Sequence, residues 1–293
     1  MNYSKTIKDS VDYIETHIKE SLTAQQIARD AGYSLSHFCR LFAKERGISV
    51  MDYVRGRRLS LARMELLAGR KILDTALDYG FETASGFTKA FRKEFGYAPT
   101  LYLARMAQWK KIPTETGGVW MKPKFKKIPE FFVAGYGIQT QLENGYMRDI
   151  AAYWENYDGE NLESKMYEQL TPPKHGEYGF CVRSDNGKIS YLLGVAVEDF
   201  SKATPDMIRV KIPAAEYAVF TTDPVDLTDT DTYDAKFSPV IKGLWKYIFE
   251  QWFPSSGYEY DEGKLDFEFY DERCHFRPDS TMDIYIPVKK KKS

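Results

Sequence analysis

The sequence predicts two domains of different class. Residues 1–111 read as an all-α domain of two helix-turn-helix units, and residues 124–293 as an α+β domain in which two β-α-β-β units share one antiparallel sheet; residues 112–123 join them. Three observations lead there. Hydrophobic periodicity is helical up to about residue 111 and strand-like from about residue 124. Each part repeats internally, at an offset of 48 to 49 residues in the first and 84 in the second. Charge divides at the same place: residues 1–111 hold 19 basic and 12 acidic side chains, net +7, and residues 112–293 hold 22 and 30, net −8, although the 293-residue chain totals only −1. A basic module joined to an acidic one suggests an anion binder carrying a domain with another task.

Several classes fall away. Apolar runs such as Leu192–Val197 are far short of the roughly 20 residues of a membrane span, and Met1–Ser10 has no apolar core for a signal peptide. Cys39, Cys181 and Cys274 form no C-x-x-C pair, and His17, His37, His175 and His275 share no ligand spacing. The expectation is a cytoplasmic chain with no disulfide framework, metal, cofactor or membrane partner.

Taken in order, Ile7, Val11, Ile14 and Ile18 make a helical apolar stripe. Thr23 with Gln26 is a capping box opening a short helix through Ala31. Gly32 breaks it, and Ser34 caps a second helix with Leu35, Phe38, Leu41 and Phe42 facing inward. Ser49 and Asp52 open a long helix to Leu67. The pattern then recurs: Ala28, Gly32, Tyr33, Phe38, Arg40 and Phe42 match Ala76, Gly80, Phe81, Phe87, Lys89 and Phe91. Two such units on a rigid spacer suit double-stranded DNA, whose major groove returns to the same side about every 34 Å.

These residues resemble the DNA-binding domain of the AraC family over about 5–108, carried by Ile27–Ser34, Tyr79-Gly80-Phe81 and Phe87–Pro99. The resemblance implies that the second helix of each unit enters the major groove. Positions that reach base edges then correspond to Ser36, Cys39 and Arg40 in the first unit, and to Ala84, Ser85 and Lys89 in the second. An arginine can read guanine in bidentate fashion, worth about 1–3 kcal/mol of discrimination. Ala84 cannot hydrogen-bond a base, and Gly86 weakens its helix by roughly 1 kcal/mol. The first unit is therefore expected to carry most base reading, and the second to act more through phosphates. Arg57, Arg58, Arg63, Arg92 and Lys93 are candidate phosphate contacts; the alternative for each is an ordinary solvated helix face.

Pro113, Gly117, Gly118 and Pro123 interrupt periodicity in the linker. Beyond it, Lys127-Ile128-Pro129 before Phe131–Ala134 is echoed by Lys211-Ile212-Pro213 before Tyr217–Phe220. Helix candidates follow at Arg148–Tyr157 and Val240–Trp252, then hairpin strands Tyr178–Arg183 with Ser190–Val197, and Leu265–Glu272 with Met282–Val288. The acidic stretch Asp223–Asp234 lacks the glycine and terminal glutamate of a calcium loop. Lys289–Lys292 read as a disordered, solubilising tail.

This half resembles the GyrI-like effector-binding domains of bacterial regulators over about 124–288. The resemblance is carried by Ile212–Phe220, Trp252–Glu259, Phe267–Tyr270 and Met282–Val288. It implies a cleft between the repeats for amphipathic, often cationic, small molecules, as in multidrug sensing, with Glu268 facing it. Strand alternation puts Tyr270 on the same face as Glu268, and a carboxylate among rings offers a cation both ion pairing and cation–π contact. Candidate walls are Tyr153, Trp154, Tyr178, Trp245 and Trp252, each equally readable as core. The expected function is a transcription regulator that binds an asymmetric DNA site as a single chain and senses a small-molecule effector. Two alternatives remain: hydrolysis of a lipophilic compound with Glu268 and a tyrosine activating water, and a protein-interaction role for the acidic half, such as contact with RNA polymerase.

Overall fold

The structure is a computed structural model. It describes residues 3–106, 122–141, 149, 152–153, 161–183, 188–229, 233–275 and 277–291. Contacts divide the chain into two compact units, Met1–Lys110 and Lys111–Ser293. Of the expected linker, only Lys122 and Pro123 fall within the described residues.

The first unit has seven described helices: α1 Tyr3–Thr16, α2 Ala24–Asp30, α3 Leu35–Arg46, α4 Val50–Leu67, α5 Ile72–Asp78, α6 Ala84–Phe95 and α7 Pro99–Met106. Local chemistry sets their ends. The Thr23 hydroxyl accepts from the Gln26 N–H at 3.2 Å, while the Thr23 N–H donates back to Gln26 Oε1 at 2.8 Å. The side chains of Ser34, Ser49 and Thr83 cap α3, α4 and α6 by accepting a backbone N–H, each cap worth about 1 kcal/mol. Ile14, Ile27, Phe38, Phe42 and Val54 form one fully buried cluster. Leu35, expected to face inward, is instead 44 % exposed; as the first residue of α3 it precedes the turn that packs. Around the second unit Phe87, Phe91, Phe95, Tyr97 and Tyr102 make a chain of ring contacts.

Helix α4 fastens this unit together. Arg57 donates twice to the Glu15 carboxylate, at 2.6 and 2.8 Å, and Arg58 donates to the carbonyls of Ile18 and Glu20. Although burial pushes the Glu65 carboxyl up, hydrogen bonds from Lys19, Arg70 and Tyr79 hold it down to about 2. On its other side α4 lays Arg63 over Phe95, 4.7 Å from the ring centroid, and near Tyr102.

The described residues of the second unit form a nine-stranded antiparallel sheet: β1 Lys124–Ile128, β2 Phe131–Gln141, β3 Glu177–Arg183, β4 Lys188–Val197, β5 Ile208–Ile212, β6 Ala215–Thr221, β7 Tyr258–Tyr260, β8 Phe267–Tyr270 and β9 Asp283–Lys290. Its order is β1-β6-β9-β8-β3-β4-β2-β5, with β7 added on β9. Exchanging β1–β4 for β5, β6, β8 and β9 reproduces that order backwards, so the two halves are related by a pseudo-two-fold axis at the β3–β8 seam. Register agrees: Phe131 pairs with Ile212 as Ala215 pairs with Ile128, and Tyr178 pairs with Gly194 as Phe267 pairs with Tyr285.

Each half opens with two strands, where the sequence suggested one. The prolines of Lys127-Ile128-Pro129 and Lys211-Ile212-Pro213 turn a corner, and the exposed lysines of β1 hid its strand character. Of the expected helix Arg148–Tyr157 only Asp149, Ala152 and Tyr153 are described, as helix; the first half's other helix, α8 Leu162–Leu170, was not anticipated. The second helix starts at Tyr233, earlier than Val240: α9 runs to Tyr247 and continues as a π-helical stretch, Ile248–Trp252. Lys289 and Lys290 belong to β9 rather than to a tail, with Lys290 opposite Tyr258.

One face of the sheet carries the helices. There α8 and Tyr153 cover Ala134, Tyr191, Leu193 and Val195, and Trp252 packs on Phe220. The other face closes on itself. Phe131 of β2 and Phe267 of β8 lie three strands apart, about 14 Å in a flat sheet, yet their ring centroids are 6.1 Å apart. That face is therefore concave and filled with rings.

Candidate functional site

In the first unit the exposed faces of α3 and α6 are the candidate nucleic-acid surface. Ser36 and Arg40 are exposed on α3, as are Ser85 and Lys89 on α6; Cys39 and Ala84 are half-buried, Cys39 against the core cluster. Lys44, exposed on α3, and Lys93, exposed on α6, extend the positive surface, and Arg92 is half-buried. Three of the expected phosphate contacts have partners within the protein. Arg57, Arg58 and Arg63, all half-buried, bond within the unit, to Glu15, to two backbone carbonyls, and to the faces of Phe95 and Tyr102. Helical spacing located them on α4 but could not show these partners.

In the second unit Glu268 sits at the seam between the two halves, half-buried, on the helix-covered face. Alternation along β8 sends Glu268 and Tyr270 to that face, and Phe267 and Phe269 to the concave one. Trp245 of α9 donates its indole N–H to Glu268 Oε1 at 2.7 Å, and the Tyr270 hydroxyl donates to Oε2 at 2.8 Å. Both oxygens thus accept from neutral donors.

The residue opposite Glu268 across the seam is Gly179. A Cβ built there would lie 3.4 Å from Glu268 Oε2 and 3.5 Å from the Tyr270 ring. The absent side chain keeps room above the carboxylate. By the pseudo-two-fold relation Gly179 and Glu268 occupy equivalent places, so one position supplies the charge and its counterpart the space. Sequence reasoning missed Gly179; a glycine inside a predicted strand was the available signal.

Next along β3, Glu177 lies opposite Tyr270 on the same face and is 6 % exposed. Burial, with Glu163 of α8 alongside, pushes its carboxyl up to about 8.

The expected aromatic walls separate into groups. Trp245 and Tyr270 touch Glu268. Tyr153, 5 % exposed, lies on the same face of the first half, its hydroxyl donating to the Tyr136 carbonyl. Tyr178 is on the concave face, packed on Phe131 and Phe269, because it is Gly179 that alternation turns toward Glu268. Trp252 is core, enclosed by Phe220, Phe253 and Tyr258. Trp154 lies outside the described residues. Among the described residues no helix is long and apolar enough to cross a membrane, and no group of three or more side chains could hold a metal ion.

Comparison with known proteins finds two families. That of integron-associated effector binding proteins matches residues 124–288, and a helix-turn-helix domain family matches residues 27–105. The uncharacterized HTH-type transcriptional regulator YbfP of Bacillus subtilis is 35% identical over 127 residues, 43% of this chain and 42% of YbfP; the chain thus spans less than half of that relative. The regulatory protein SoxS of Escherichia coli is 35% identical over 107 residues, 36% of this chain and 100% of SoxS. An integron cassette protein from the mobile metagenome of Vibrio cholerae aligns in structure at 18% identity, over 58% of this chain and 97% of that one, with a TM-score of 0.36.

Proposed function

Because the chain belongs to the integron-associated effector binding protein family over its acidic half, and to the AraC-type helix-turn-helix regulators over its basic half, we propose that it is a DNA-binding transcription regulator that senses an amphipathic organic cation. The observation that carries the sensing step is the Glu268 constellation: a half-buried carboxylate at the seam of two repeats, held by two neutral donors, with a glycine opposite. A cation entering there gains ion pairing with Glu268 and ring contact with Tyr270 and Trp245. With both oxygens already accepting hydrogen bonds, Glu268 is placed to hold charge rather than to activate water, which favours a sensor over a hydrolase.

The basic half would read DNA through Ser36, Cys39 and Arg40 on α3 and Ser85 and Lys89 on α6, with Arg92 and Lys93 on phosphates. Ala84 contributes at most an apolar contact. Effector and DNA binding are linked only if the cation prefers one state of the chain over another.

Calorimetric titration of the full chain with tetraphenylphosphonium, a lipophilic cation, tests the sensing step. Glu268→Gln keeps the shape and removes the charge, so affinity should fall at least tenfold, about 1.4 kcal/mol. Unchanged affinity would sink the assignment of the site. Genomic fragments captured by the purified chain then give the DNA on which the cation's effect is measured.

A further inference from the structure

Glu268 and its partners occupy one face of the acidic unit's sheet; the opposite, concave face holds a cavity of its own. Its volume is about 200 Å³, and Ile128, Phe131, Tyr178, Phe267, Phe269 and Tyr285 line it. Pro129 is exposed and Phe131 half-buried at its rim, so it opens to solvent at the β1–β2 corner. The lining side chains carry no formal charge, and burial pushes the Tyr178 phenol up to about 12, which keeps it neutral.

One charge does reach the wall. Alternation along β1 puts Lys124, Lys126 and Ile128 on the concave face, and Ile128 lines the cavity. Lys126 Nζ donates to the Tyr285 hydroxyl at 3.1 Å and lies 5.3 Å from the centroid of that ring. The lysine is exposed, on the edge strand of the sheet, so its ammonium can turn from Tyr285 to a ligand without leaving a buried charge behind.

We infer that this cavity is a second small-molecule site, for a single-ring aromatic monoanion, whose ring lies among Phe131, Tyr178 and Phe267 and whose carboxylate meets Lys126 and the Tyr285 hydroxyl. Size and sign both support this. An apolar cavity of about 150 Å³ accepts benzene, so the volume here holds one ring and a carboxylate but no polycyclic ligand. The ammonium at the rim attracts an anion and repels the cations suited to Glu268. The two faces of one sheet thus take ligands of opposite charge, and this site does not depend on the role of Glu268.

Benzoate and benzamide, alike in shape but not in charge, are the probes, titrated into the full chain by ligand-observed NMR. Benzoate should bind at least tenfold more tightly than benzamide. Lys126→Met should abolish that preference, Lys126→Arg should restore most of it, and Glu268→Gln should leave it unchanged. Absence of benzoate binding, equal binding of the two probes, a preference that survives Lys126→Met, or one that disappears in Glu268→Gln would each overturn the inference. Because Lys126→Arg keeps the charge on the same exposed strand, loss of preference in both lysine variants would also count against it.

Discussion

The two helix-turn-helix units are built on one plan, and their differences separate scaffold from reading surface. Helices α3 and α6 are both twelve residues long, both begin at a hydroxyl cap, and both end at a left-handed glycine, Gly47 or Gly96. Phe38 and Phe42 in the first are matched by Phe87 and Phe91 in the second, all fully buried. The outward positions are only partly alike: Ser36 is matched by Ser85, but Arg40 faces solvent where the second unit has Lys89. Two scaffold positions diverge as well. The turn glycine of the first unit stands in open space while that of the second is occupied from outside, and α2 has a capping box where α5 has none. Duplicated cores tolerate little change, whereas surfaces drift until something binds them.

The largest effects should come from the outward positions. Arg40→Ala is expected to cost about 1–3 kcal/mol on the selected DNA and to relax base choice in one half of the footprint. Lys93→Ala in the second unit should cost less, lower affinity on all sequences alike, and flatten the salt dependence by about one phosphate contact. Affinities across salt concentrations and sequence variants check this; equal, sequence-independent losses for both would mean that the two units read DNA in the same way.

The turn glycines come next. Gly32 and Gly80 have φ of +77° and +76°, a conformation that costs a side chain about 1–2 kcal/mol. Around Gly32 nothing lies within 4 Å, but a Cβ at Gly80 would sit 2.9 Å from a guanidinium nitrogen of Arg58. That guanidinium also holds the carbonyls of Ile18 and Glu20, so moving it gives up bonds elsewhere. Gly80→Ala should therefore destabilise the first unit more than Gly32→Ala, by about 1 kcal/mol or more. Adding Arg58→Met should shrink the gap. Hydrogen exchange of α2 and α5 in the full chain reads both, and equal losses would mean that Arg58 yields without cost.

These differences mark what the sequence could and could not reveal. The helices, the caps Thr23, Ser34 and Ser49, and the turn glycines were legible because each depends on residues within one turn of chain. The bonds of Arg57, Arg58 and Arg63 within the unit were not, since they depend on Glu15, Ile18 and the ring of Phe95, partners tens of residues away. In the acidic unit the alternation of β8 rightly put Glu268 beside Tyr270. The same alternation in β3 placed Gly179, not Tyr178, opposite Glu268, but only the register across the seam reveals it. Strand β1 escaped notice because its lysines belong to an exposed edge, where polar residues carry no pattern. Of the candidate walls, Trp245 lies against Glu268 while the similar Trp252 is core; two tryptophans on one helical segment look alike until the sheet beneath them is known.

The smallest expected effect concerns the missing cap. The N-cap of α5 is Lys71, in the extended conformation of its counterpart Thr23 but with no side-chain bond to the helix. Its ammonium also lies at the positive end of the helix dipole. Lys71→Thr should supply the acceptor that the Asp74 N–H lacks and remove that repulsion, stabilising α5 by about 1 kcal/mol, with slower hydrogen exchange confined to that helix and its contact with α6. DNA affinity of the variant then separates two origins of the asymmetry. A fall in affinity despite the gain in stability would mean that the lysine is kept for a phosphate, and that the weaker cap is the cost of binding. Unchanged affinity would mark the uncapped end as simple drift in a unit whose ring-filled core already holds α6 in place.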